Sequence, residues 1–264
     1  MMEAIVRFAV FLGIFLLMAA WELYRPKRRL SLSRQQRWPV NLGLAVLNVG
    51  VMRISIGAAA WLAANWAAEQ QLGLFHALPV PQWLSIALSL LLLDLAIYAQ
   101  HIAAHRWRWF WRLHQVHHSD LEFDTTTAVR FHPLEIMLSM FYKVALVVLL
   151  GAEPVAVIAF EVILNGCALF NHGNVGLPPV VERWLRFGLV TPDMHRIHHS
   201  ALRQETDSNY GFSLSCWDRL FKTYCPQAQS PQTEMTIGLY ELRDNAELGL
   251  MGLLVLPFRR LRDR

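Results

Sequence analysis

The 264-residue sequence is poor in charge: Asp, Glu, Lys and Arg make up 17% of it, against 55% apolar residues and a mean hydropathy of +0.30. A soluble domain usually carries about 25% charged residues, so this shortage argues against an ordinary soluble fold. Cysteine is equally scarce. Cys167, Cys216 and Cys225 have no CxxC spacing, and an odd count argues against a disulfide framework, leaving reduced structural thiols. His-Glu-x-x-His is missing, because Ile102 follows His101, which excludes the usual zinc-protease helix. The sequence also lacks a Gly-rich dinucleotide fingerprint, a fused haem or iron–sulfur motif, a nucleic-acid module, low-complexity tracts and any repeat on the scale of a fold.

What is present is oil. Apolar runs cover Ala4 to Leu23, about Leu42 to Ala68, and Pro81 to Ala99. A fourth, Leu134 to Phe170, exceeds the about 20 residues of one crossing and is broken by Gly151-Ala-Glu-Pro154, which predicts a hairpin of two helices. The first run ends in Glu22-Leu-Tyr-Arg-Pro-Lys-Arg-Arg29 rather than at a small-residue cleavage site, so a retained helix is expected. Arg7 and Arg53 inside the runs are expected to snorkel or pair.

Charge predicts the orientation. Arg25, Lys27, Arg28, Arg29, Arg34 and Arg37 fill the loop after the first run, which should therefore face the cytoplasm. The segment from Ala68 to Gln82 has no Lys or Arg, which suits the far side, and Arg106, Arg108 and Arg112 mark the return. The isoelectric point of about 9.2 is assigned to anionic lipid at the membrane face rather than to nucleic acid.

Ten of the eleven histidines lie between positions 101 and 199. His101 and His105 share one helical face at i, i+4 spacing. His114, His117 and His118 form a second patch, and His195, His198 and His199 repeat it as H-x-x-H-H-S. His172 follows the hairpin and His132 precedes it. A lone histidine on an apolar face is usually a satisfied structural residue, but so many in phased motifs point to metal, since neutral imidazole is the commonest ligand. One tetrahedral site uses four ligands; two metals with four to five nitrogens each would use them all. A transporter would place ligands near the bilayer midplane, whereas these lie at the cytoplasmic ends.

H-x-x-x-H, H-x-x-H-H and H-x-x-H-H around a membrane hairpin resemble the membrane fatty acid hydroxylase/sterol desaturase superfamily, in its bacterial form. Asp94-x-x-x-Tyr98, Trp111-Arg-Leu-His-Gln-Val-His-His-Ser119, Thr127-Ala-Val-Arg-Phe-His-Pro-Leu-Glu135, Asn171-His172, Thr191-Pro-Asp-Met-His-Arg-Ile-His-His-Ser200, Asn209-Tyr-Gly211 and Trp217-Asp-Arg-Leu-Phe221 strengthen the likeness over roughly residues 90 to 225. The resemblance implies two irons held by His101, His105, His114, His117, His118, His172, His195, His198 and His199, with O2 as co-substrate and zinc as the mis-metallated form. It departs at Ala168, where some members carry a further histidine; His132 is the alternative, although Pro133 after it suggests a helix start.

An all-imidazole site suits iron, copper or zinc, and only the resemblance selects iron. Asp94, Glu122, Asp124, Glu135, Asp193 and Asp218 are candidates to orient ligand imidazoles; Asn171 and Asn174 could orient His172 or a metal-bound water, and Ser119 and Ser200 read as caps. Trp107, Trp109 and Trp111 among arginines read as an interfacial belt, and Leu248 to Phe258 with Arg259-Arg-Leu-Arg262 as an interfacial anchor.

The expectation is an all-α integral membrane protein of about four to five embedded helices with a cytoplasmic histidine-rich catalytic cap. Residues 1–90 would form N-terminal spans and a basic loop, 91–225 the di-metal domain with hairpin 134–170, and 226–264 a tail with an interfacial helix. The expected function is a bacterial inner-membrane di-iron oxygenase that hydroxylates or desaturates a bilayer lipid, fed by a separate electron-transfer protein. A zinc-dependent membrane hydrolase and a non-catalytic metal-binding membrane protein are the rivals.

Overall fold

The computed structural model describes residues 2–55 and 58–259. In chain order the first helices are α1 (Met2–Tyr24), α2 (Arg34–Ser55), α3 (Ala59–Glu69), α4 (Leu74–Ala77), α5 (Gln82–Arg106), α6 (Arg108–His118), α7 (Pro133–Leu150) and α8 (Pro154–Asn171). Among the described residues, five segments are long and apolar enough to cross a membrane: Ile5–Tyr24, Arg34–Ala77, Gln82–Arg106, Pro133–Leu150 and Pro154–Asn171. Their outer faces expose large apolar side chains such as Phe8, Leu16, Phe141 and Leu149, as lipid-facing helices do. Their inner faces meet around Leu93, Val147, Val157 and Phe160. Ala60 and Ala64 of α3, one turn apart, bring that backbone close to α7 and α8.

The α7–α8 hairpin turns where its sequence requires. Gly151 ends α7 at φ 62° and Pro154 opens α8, pre-set for a first helical turn. The turn is pressed against the α3–α4 loop so closely that a Cβ on Gly73 (φ 103°) would lie 2.2 Å from the Gly151 nitrogen. The chain between spans two and three thus shares one end of the bundle with the hairpin tip, and the histidines lie at the other.

At that other end a cap forms from α6, from residues 119–132, and from α9 (Pro179–Gly188), α10 (Pro192–His198), α11 (Arg203–Thr206), α12 (Cys216–Leu220) and α13 (Leu250–Val255). Among the described residues it has three isolated β-bridges and no strand.

Two local expectations shift. Arg34 and Arg37 belong to α2 rather than to a loop, because the cap gives Arg37 a reason to be helical and buried. Its Nε and Nη2 donate to the two oxygens of Asp120 at 2.8 and 2.7 Å, and Nη1 to Asp124 at 2.7 Å. One turn on, Asn41 donates to Asp120 and Thr126, and Asn48 donates to the Phe131 carbonyl. α2 therefore runs through the cap before it leaves for the apolar layer. The Trp belt is also only partial. Trp107 and Trp109 are exposed, but Trp111, two residues on and so on the opposite side of α6, is buried with its ring 5.0 Å from His105.

Other expectations gain detail. Arg7 pairs with Glu161, which also accepts from Lys143 at 2.5 Å, so one carboxylate of α8 holds cations from α1 and α7. In the tail, α13 buries Leu253 against Leu44, Val116 and Leu239 while leaving Met251 and Val255 exposed. Arg260 and Arg262 of its basic end lie outside the described residues.

Candidate metal centre

Four helix ends bring the histidines together. α5 carries His101 and His105 on one face, and Trp107 in extended conformation (φ −92°, ψ 118°) turns the chain back as α6. This reversal sets the His114–His117–His118 patch over the end of α5. α10 delivers the second H-x-x-H-H, and His172 caps the C-terminus of α8. Thr191 fixes the start of α10, its hydroxyl accepting from the Met194 amide at 3.3 Å.

All nine histidines named by motif converge, and they do so as two groups. His101, His105, His114, His118 and His198 form one; His117, His172, His195 and His199 form the other, and within each the ligand atoms lie within 4.8 Å of one another. Every ring is buried. The two H-x-x-H-H motifs divide in complementary fashion. At about 100° per residue, positions i+3 and i+4 of a helix flank i on opposite sides, so i+4 stays near i while i+3 points about 100° away from i+4 within the same patch. α6 thus sends His114 and His118 to the first group and His117 to the second; α10 sends His198 to the first and His195 and His199 to the second. His118 and His199 stack at 4.5 Å where the groups meet.

The hydrogen bonds fix which nitrogens are free to bind. A carbonyl only accepts, so His101 donates from Nδ1 to the Tyr210 carbonyl (2.8 Å), His172 to that of Ala168 (2.8 Å) and His198 to that of Ser208 (2.7 Å). Glu135 faces His114 Nδ1 at 2.6 Å and Asp207 faces His105 Nδ1 at 3.4 Å. Each of these rings keeps its Nε2 lone pair for the interior. The second group crowds such atoms: His172 Nε2 lies 3.1 Å from both His117 Nε2 and His195 Nε2. His101 Nε2, His114 Nε2 and both nitrogens of His199 are buried and hydrogen-bond to no protein atom. Imidazole nitrogens gathered this closely, those of His101, His172 and His198 held with a free Nε2 lone pair by their carbonyl partners, are a donor set that suits a cation.

Electrostatics agree. Burial, then the neighbouring imidazoles, hold His117, His118, His195 and His199 well below the ordinary histidine range. Burial likewise lowers His172 to about 4, against the Ala168 carbonyl bond that favours its charged form. These rings are neutral at pH 7 and ready to ligate. Aromatic walls keep water away: Phe131 stacks on His117 at 4.4 Å, Phe123 lies 5.6 Å from His172, and Tyr210 lies 5.1 Å from His105.

His132 stands apart from both groups. Its Nδ1 accepts from the Leu134 amide at the start of α7, and its Nε2 donates to the Leu254 carbonyl. Of the carboxylates singled out, only Glu135 reaches a ligand imidazole. Asp94 accepts from Trp217 Nε1, Glu122 from the Ser31 and Leu32 amides, Asp193 from Arg196, and Asp218 from the Tyr210 and Gly211 amides, while Asp124 faces Arg37 and Trp38. Asn171 donates to the Phe212 carbonyl and Asn174 to that of Arg28. Ser119 donates to the Val116 carbonyl, and Ser200 accepts from the Leu202 amide. Asp207 and the Ser208 and Tyr210 carbonyls were not singled out; their signal lay beside the Asn209-Tyr-Gly211 segment, but carbonyls carry no side-chain mark.

The sequence model of fatty acid hydroxylases matches residues 86–223, just over half of the chain and the stretch that holds every one of these ligand candidates. The chain belongs to the fatty acid hydroxylase family. Ornithine lipid hydroxylase OlsE of Rhizobium tropici is 26% identical over 95% of this chain and 75% of its own length. Alkylglycerol monooxygenase of Xenopus tropicalis is 33% identical over 54% of the chain, and cholesterol 25-hydroxylase of Rattus norvegicus 26% identical over 60%. The chain spans only 31% of the first of these two and 53% of the second. No solved structure matches it. Family membership and the five apolar helices make it a membrane-bound oxidoreductase acting on lipid.

Proposed function

We propose that the chain is a di-iron monooxygenase that hydroxylates a lipid drawn from the bilayer, with residues 91–225 as its catalytic unit. The observation that carries this reading is the division of nine buried histidines into groups of five and four within one enclosure. His101, His105, His114, His118 and His198 would hold one iron, and His117, His172, His195 and His199 the other. When bound, the pair supplies the reduction of O2 and cleavage of an unactivated C–H bond, in the balance RH + O2 + 2 e⁻ + 2 H⁺ → ROH + H2O. The protein's part is placement and exclusion. Glu135 orients His114 and strengthens it as a donor, and backbone carbonyls hold His101, His172 and His198 in one tautomer. Phe123, Phe131 and Trp111 exclude water from the site. The histidines lie at the helix ends, so an acyl chain could reach them from the apolar layer, and the basic residues 25–37 favour a cytoplasmic cap.

The test uses the whole chain in detergent. Metal analysis should give two irons per chain, lost or halved in His198→Ala, and dithionite-driven turnover with 18O2 should place label in a lipid alcohol. Zinc retained after growth in iron-rich medium, with lipid cleavage under nitrogen, would replace this reading with the hydrolase. Metal binding with no turnover of any lipid would leave a carrier.

A further inference from the structure

A groove of 830 Å³ opens on the cap between α9 and the 226–232 segment. Its lining carries four cations, Lys27, Arg183, Arg186 and Arg219, against two carboxylates, Glu182 and Asp193. The 226–232 wall has no charge at all. Arg186 is committed to Glu182 (2.5 Å) and Lys27 to Asp193 (3.4 Å), while Arg219 is held by the Arg186 carbonyl and lies over the Tyr224 ring at 4.3 Å. Arg183 is exposed at the groove. Lys27 and Arg186 are balanced by the two carboxylates while Arg183 and Arg219 are not, so the net charge of the groove is positive.

The groove's floor leads to the histidines. Asp193 and Gln232, both lining it, accept hydrogen bonds from Arg196 Nη1 at 2.6 and 2.8 Å. Arg196 is fully buried, and its guanidinium lies 5.2 Å from the centre of the Phe123 ring. Phe123 in turn lies 5.1 Å from His199 and 5.6 Å from His172. Two packed side chains therefore bridge the groove floor and the four-histidine group.

We infer that this groove docks an acidic one-electron carrier protein, and that electrons pass from it through Arg196 and Phe123 to the group of His117, His172, His195 and His199. The inference rests on the oxygenase reading, which requires two electrons from outside the chain. Each docking would oxidise the carrier's reduced centre by one electron, passed toward the metal that His117, His172, His195 and His199 would hold; two such dockings and two protons from water balance one O2. Carboxylates around the carrier's redox centre would face Arg183 and Arg219.

The test uses the full-length, iron-loaded protein in nanodiscs of zwitterionic lipid, with an acidic [2Fe–2S] ferredoxin as probe. Equilibrium binding is measured at low and moderate salt, and ferredoxin oxidation is followed by stopped-flow absorbance. The expected results are binding that weakens about tenfold with salt, a similar loss in Arg183→Glu at low salt, and unchanged binding with about tenfold slower oxidation in Phe123→Leu. Iron content and melting temperature show that each variant is folded. Salt-independent binding, equal binding by Arg183→Glu, or Arg183-dependent capture of anionic vesicles in place of ferredoxin would overturn the inference. Failure of dithionite and O2 to produce any lipid alcohol in the wild type would instead sink the oxygenase reading, whatever the binding data say.

Discussion

Replacing Arg37 with leucine should loosen the histidine cap although Arg37 touches no histidine. The side chain is 4% exposed and is bound by both oxygens of Asp120 and one of Asp124. Asp120 lies two residues beyond His118. Burial would raise its carboxyl, but the Arg37 guanidinium, its hydrogen bonds and Arg130 hold it well below the usual carboxylate range. Arg130 links the same cluster to the end of α6, donating to the Val116 carbonyl and to Ser119 at 3.0 Å each. Leucine would leave two buried carboxylates short of a countercharge, and removing one partner of a buried pair costs about 3–5 kcal/mol. For a chain of this size about 1 kcal/mol shifts the midpoint by roughly 2–4 °C, so the variant should melt about 6–20 °C lower and lose bound metal faster to a chelator. Arg37→Lys, with a point charge instead of a fork, should recover only part of this. Thermal melting of the detergent-solubilised protein, with metal release followed in parallel, is the assay. A variant that melts within 2 °C of wild type would refute the idea that α2 holds the cap together.

Three further outcomes follow from single contacts. Glu135→Gln should keep the shape beside His114 but remove the charge, weakening metal binding about 10–100-fold in chelator competition; unchanged affinity would deny Glu135 its orienting part. Burial lowers the His132 pKa, so its neutral form is favoured in the folded state, and its contribution to stability is full above about pH 6.5 and declines as pH falls toward the lowered value. His132→Asn, a cap that does not titrate, should match wild type near pH 7.5 and show a shallower loss of melting temperature toward pH 5; parallel curves would reject this. Glu161→Leu should strand Arg7 and Lys143 in the apolar layer and reduce the yield of folded protein. The triple apolar variant of Arg7, Lys143 and Glu161 should restore it, because each cation at a helix centre costs about 2.5–3.5 kcal/mol to insert and a buried ionic cluster is replaceable by packing.

How much of this could be read from sequence depended on the range of the interaction. The five apolar segments and the hairpin turn were legible because each depends on residues next to one another, down to Gly151 as the residue that ends α7. The histidine patches were legible for the same reason: spacings of three and four fix a face before any fold is known. The division of those patches into two groups depends on which way α6 and α10 face across the cap, and spacing along one helix says nothing of that. Arg37 looked like an orienting charge at the membrane face because its partners lie 83 and 87 positions away. Trp111 looked like its neighbours Trp107 and Trp109 because a belt is a matter of composition, whereas its burial against His105 is a matter of the turn at Trp107.

That same distinction bears on how the chain uses its N-terminal third. The family match begins at residue 86, yet Glu22 accepts from the Thr125 and Asn174 amides, Arg37 and Asn41 hold Asp120, and Ser31 and Leu32 hold Glu122. Residues 22–41 therefore clamp both loops that leave the histidines, the one after His118 and the one after His172. A membrane anchor would need only apolar surface, and any apolar helix could replace it. Buried carboxylates and guanidiniums at fixed places make the first two helices part of the site's frame, and swapping them for unrelated apolar spans should leave insertion intact while metal is lost.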